Sequence, residues 1–75
     1  MSAMTATSSA IGQIGEAAGA LWRQLDLDGP QSVTKLIKAT GLPRDVAMQA
    51  LGWLAREDKV AISDEGRSRV VSLLD

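Results

Sequence analysis

Thr34-Lys35-Leu36-Ile37-Lys38-Ala39-Thr40-Gly41-Leu42-Pro43-Arg44-Asp45-Val46-Ala47 is the stretch that decides the architecture. Thr34 carries a side chain suited to a helix N-cap, and Leu36 and Ile37 fall on one side of the short helix that follows. Gly41 closes that helix, because the residue just past a helix end commonly turns left-handed and glycine does so without a Cβ clash. Leu42 is an apolar residue held in the turn. Pro43 suits the first turn of a new helix, where its missing N–H is not needed. From there Val46, Ala47, Ala50, Leu51, Trp53 and Leu54 form a wide apolar face. Two helices, over 34–40 and 43–58, therefore meet at a tight turn.

Working outward, Ser8 and Ser9 are caps for a longer first helix over residues 10–27. Ile11, Ile14, Ala18, Leu21, Trp22 and Leu25 repeat there at helical spacing, with Gln13, Glu16, Arg23 and Gln24 on the other side. Gly29-Pro30 ends it, since proline cannot continue a helix and disfavours one just before it. Val33 falls in a short extended piece. Downstream, Val60-Ala61-Ile62 and Val70-Val71 read as strands over 59–63 and 67–73, joined by the turn signal Asp64-Glu65-Gly66. Met1 to Ala10 is uncharged and rich in Ser, Thr and Ala, and residues 1–9 are expected to be a disordered tail on a domain spanning 10–75. The fold class is α+β, mainly α. Three helices followed by a C-terminal hairpin are the layout of a winged helix-turn-helix.

Composition narrows the function. With 75 residues the chain holds one domain, whose core supplies about 3–5 kcal/mol of net stability. It has no cysteine and no histidine, which removes disulfides, thiolate metal sites and the commonest general base. No glycine-rich phosphate loop or paired carboxylates are evident, so the expectation is a non-enzymatic protein with no cofactor, no metal and no small-molecule substrate. Gln24 to Gly29 faintly echoes a calcium loop, but Gln24 and Lys35 stand where acids are required. No apolar run is long enough for a membrane span, and no secretory leader pattern opens the chain, so a cytoplasmic protein is expected. The net charge is −1, where a strongly basic balance would have pointed to nucleic acid.

Two segments resemble a known family. Ile14-Gly15-Glu16-Ala17-Ala18-Gly19-Ala20-Leu21-Trp22, and Ala50-Leu51-Gly52-Trp53-Leu54-Ala55-Arg56-Glu57-Asp58-Lys59, resemble small bacterial winged helix-turn-helix domains of unknown function. The resemblance covers residues 11 to 73, and the run from Gly52 to Glu57 is its most specific part. It implies the fold and no particular activity. Pro43 departs from the Ser or Thr cap expected at that place, which leaves the first residue of the third helix open.

If the domain reads DNA, the third helix is the recognition helix. Its outer face carries Asp45, Met48, Gln49, Gly52, Ala55 and Arg56. Gln49 suits adenine, Arg56 suits guanine or phosphate, and Arg44 adds a cation near the start. On the wing, Arg67 and Arg69 fall on one face of a strand, with Lys35, Lys38 and Lys59 as possible extensions. Asp45, Asp64 and Glu65 oppose them. DNA affinity rests mainly on cations against phosphate, and here cations are few, so binding to DNA is expected to be weak and salt-sensitive. The alternative is a protein-interaction or homodimerisation module that has lost the basic face. Its candidate interface is the glycine flank of the first helix, Gly12, Gly15 and Gly19, together with Met48. Each such glycine costs about 1 kcal/mol relative to alanine. Close packing within the chain is the simpler return, and a partner's helix is the other. Trp22 and Trp53, the only aromatics, lie at the edges of the apolar stripes and are expected to pack into the core.

Overall fold

The computed structural model describes residues 2–66 and 68–74, the side chains of 2–10 and of Glu65 excepted. Its elements in chain order are α1 (Ser2–Asp28), β1 (Gln31–Ser32), α2 (Val33–Thr40), α3 (Arg44–Arg56), β2 (Val60–Glu65) and β3 (Ser68–Leu73). The three strands form one antiparallel sheet in the order β1-β3-β2. β3 is central: Gln31 pairs with Val71 on one side, and Val60 through Glu65 pair with Leu73 through Ser68 on the other.

Burial follows the helical and strand periods. Leu21 and Leu25 of α1, Leu36 of α2, Leu51 of α3 and Val71 of β3 are sealed from solvent at the centre. Ala17, Ala47 and Ala50 are also buried. These small side chains sit where α1 and α3 pack against each other and allow the two axes to come close.

The segment ends have identifiable causes. α1 stops at Gly29, whose φ is 78° and whose N–H donates to the Leu25 carbonyl at 2.8 Å. Gly41 (φ 70°) ends α2 in the same way, donating to Ile37 at 3.0 Å. α3 ends without a glycine. Lys59 N–H donates to the Leu54 carbonyl (2.9 Å) and Asp58 N–H to Ala55 (3.1 Å), the paired bonds of a Schellman closure, with Asp58 held left-handed at φ 58°.

Four sequence expectations are corrected. The extended piece is Gln31–Ser32, paired with β3, and Val33 is the buried first residue of α2. The N-cap is Ser32 instead of Thr34: its Oγ accepts from Lys35 N–H at 3.1 Å, as a cap accepts from the third helical residue. β2 runs through Glu65, so Asp64 and Glu65 belong to the strand and not to the turn, where Gly66 stands at φ 65°. α1 runs back through residues 2–9 to Ser2, where the first helix was expected to begin at residue 10. That stretch has no glycine or proline, and adding residues to an existing helix is far easier than nucleating one.

Candidate nucleic-acid interface

The first turn of α2, the start of α3 and the first residues of β3 converge on one cleft of about 450 Å³. Arg44 and Met48, one turn apart on α3, form one wall. Ser68 and Arg69 of the wing form the other, and Ser32, Val33 and Thr34 lie at the back. The Ser32 hydroxyl is engaged as the cap. Because Ser32 caps α2, Thr34 lies inside its first turn, where backbone N–H groups lack helical partners and favour an anion.

Arg69 pairs with Asp64 across the hairpin, Nε to Oδ1 at 3.3 Å, and both side chains are largely in water. Exposed pairs of this kind contribute between nothing and about 1 kcal/mol. The contact therefore orients Arg69 along the wing without holding it against a stronger anion.

The candidates from the sequence separate in space. Arg44 and Arg69 come together at the cleft. Gln49 and Arg56 are exposed on α3 and do not line it. Arg56 lies twelve residues beyond Arg44, about 18 Å along the helix. Arg67 lies outside the described residues. Met48 was grouped with the glycines of α1, yet it lines the cationic cleft on a different flank of the molecule. Thr34 and Ser68 went unnoticed as site residues. Reading Thr34 as the cap hid its hydroxyl, and Ser68 carries no signal of its own.

The tryptophans are not core residues. Trp22 is 39% exposed and Trp53 52%. Their flank positions on α1 and α3 turn both away from the sealed leucines.

The helix-turn-helix of α2 and α3, backed by α1 and flanked by a sheet whose last hairpin rises beside α3, defines a winged helix-turn-helix domain. The chain belongs to the family described as winged helix-turn-helix domain (DUF2582), whose model matches residues 4–73. It is 34% identical over 65 residues to the uncharacterized protein MJ1608 of Methanocaldococcus jannaschii, covering 83% of this chain and 91% of that one. Among solved structures, protein BT2368 from Bacteroides thetaiotaomicron superposes with a TM-score of 0.74 at 29% identity, over 83% of this chain and 76% of that one. Reduced HlyU from Vibrio cholerae superposes with a TM-score of 0.65 at 22% identity, over all of this chain and 83% of its own, a likeness of fold alone. Among the described residues, no helix is long and apolar enough to cross a membrane.

Proposed function

We propose that this domain is a cytoplasmic, non-enzymatic binding module that grips the backbone of duplex DNA at the cleft between α2, α3 and the wing. The observation that carries this reading is the meeting of Arg44 and Arg69 across a polar hollow that also holds Thr34 and Ser68. Two cations, two hydroxyls and the opening turn of a helix are the groups that bind phosphate oxygens. The exposed face of α3 adds Gln49 and Arg56 for the groove, and Arg67 is a further cation that the sequence offers. Asp45 on α3 and Asp64 beside Arg69 oppose the polyanion, which supports weak, sequence-tolerant binding.

The test is fluorescence anisotropy of a labelled duplex at low salt, followed by a salt titration. Micromolar binding that fades toward physiological salt is expected. Arg44→Glu should weaken it more than Arg44→Ala, and removing one phosphate contact should lower the salt slope by about 1. No binding at low salt, or binding indifferent to Arg44 and Arg69, would refute the reading.

The second reading is a protein-interaction module. It is favoured by the part-exposed Trp22 and Trp53, which border the same hollow.

A further inference from the structure

Trp53 of α3 is shared by two hollows on the flank away from the cationic cleft. The smaller, of about 120 Å³, lies against Ile11, Ile14 and Gly15 of α1 and is apolar on every side. The larger, of about 430 Å³, lies against Gly19, Trp22 and Arg23 of α1 and Lys59 ahead of β2. Together they make a groove between α1 and α3 that changes character along its length. From Ile11 to Arg23 it runs about 18 Å, apolar at one end and cationic at the other. A Cβ at Gly12 or Gly15 would meet no atom within 4 Å, so packing within the chain, the return expected for these glycines, is not what they provide. At Gly19 a Cβ would meet only the Arg23 guanidinium, at 3.6 Å. Arg23 therefore folds back along α1 and lies over Gly19, at the larger hollow.

We propose that this groove takes an amphipathic helix of a partner protein whose apolar stripe is edged by acidic residues. The proposal goes beyond the duplex reading and rests on the protein-interaction one. Charge selects the occupant. Arg23 and Lys59 are both exposed, and among the described residues neither is paired with a carboxylate. No acid lines either hollow among those residues. Asp26, Glu57 and Asp58, the nearest acids in sequence, lie outside both. A carboxylate there meets two cations beside part-exposed indoles, where less water surrounds the charges than on open surface. The apolar end holds the stripe. Ile11 is 62% exposed and Trp53 52%, and a partner's leucine seated against them covers both. The two hollows are centred about two turns of α1 apart, so an apolar and an acidic residue about seven positions apart on a docked helix reach both. A nucleic-acid strand would use the indoles and cations but gain nothing from the Ile11 end. A second copy docked face to face would bring the same two cations and no acid to meet them.

Tryptophan emission of the full chain tests the proposal. Trp22 and Trp53 both border the groove and the chain has no other aromatic residue, so the emission reports on this surface alone. The probe is a synthetic, aromatic-free helix of about four turns, with leucines at i, i+3, i+4 and i+7 and glutamates on both edges of that stripe. Its twin carries lysines in place of the glutamates. A blue shift that saturates at micromolar glutamate peptide is expected, with the twin at least tenfold weaker. Arg23→Glu combined with Lys59→Glu should reverse that preference. Both positions are exposed, and circular dichroism should show the fold kept. Equal binding of the two peptides would overturn the acidic partner while leaving an interaction module standing. No response to either at several hundred micromolar would remove both readings. Tighter quenching by a single-stranded oligothymidine, or a shift on concentrating the protein alone, would assign the groove to nucleic acid or to a second copy and overturn the proposal. Duplex binding is read separately through Arg44.

Discussion

Gly12→Ala and Gly15→Ala test the account of α1 at its most specific point. Both glycines lie inside the helix, both are exposed, and an added Cβ at either meets nothing within 4 Å. With no clash to offset it, helix propensity decides the sign. Alanine is favoured over glycine by about 0.8–1 kcal/mol at an exposed helix interior. The pair should therefore add about 2 kcal/mol, against a net stability of about 3–5 kcal/mol for a domain of this size. One kcal/mol moves the midpoint of a small domain by about 4–8 °C, so the double variant should melt roughly 8–16 °C higher. Thermal melts followed by circular dichroism at low micromolar concentration isolate the single chain from any dimer. A lower midpoint would refute the reasoning. It would mean that some part of the same chain presses on this flank, or that α1 is not helical there.

Leu51→Ala removes a sealed side chain between α1 and α3. The expected cost of about 2–5 kcal/mol rivals the whole stability, so a urea titration should find the variant largely unfolded before denaturant is added. Asp58→Gly relieves the left-handed residue that closes α3. A gain of about 1 kcal/mol in the same titration is expected, and a loss would show that the Asp58 side chain, instead of its backbone angle, serves the turn.

The fold was legible because its decisive signals are local. Gly41 and Gly29-Pro30 end helices by their own backbone chemistry, and the apolar periods of α1 and α3 name the leucines that the structure seals. What was missed depends on partners distant in sequence. Gln31–Ser32 is too short to register as a strand, and only β3, some forty residues later, makes it one. Once that pairing holds Ser32 extended, Ser32 becomes the cap, and the rank order of Ser over Thr was a weaker clue than the pairing itself. The tryptophans were misplaced for a related reason. A stripe's edge faces the core or the solvent according to how two helices roll against each other, and the alanines that set this contact carry no directional signal. The cleft was half legible. Arg44 and Arg69 were named, but Thr34 and Ser68 join them only through the sheet that ties α2 to the wing.

α3 serves the core on one side and carries an exposed flank on either side of it. Ala47, Ala50, Leu51 and Leu54 fill one side of it with core. Met48 and Trp53, five residues apart, point about 140° from each other at helical geometry and bracket that side. The Met48 flank, with Arg44, looks to the wing and is polar. The Trp53 flank looks to α1 and is apolar. In a chain this short one helix must serve the core and both surfaces, and the arc that separates the two flanks on its solvent side carries the exposed Asp45, Gln49, Gly52 and Arg56. Effects at Arg44 and at Gly15 should accordingly add, since the groups share no partner. A change on the α1 flank such as Gly15→Ala should therefore leave the salt slope of DNA binding unchanged, and an altered slope would refute the separation of the two flanks.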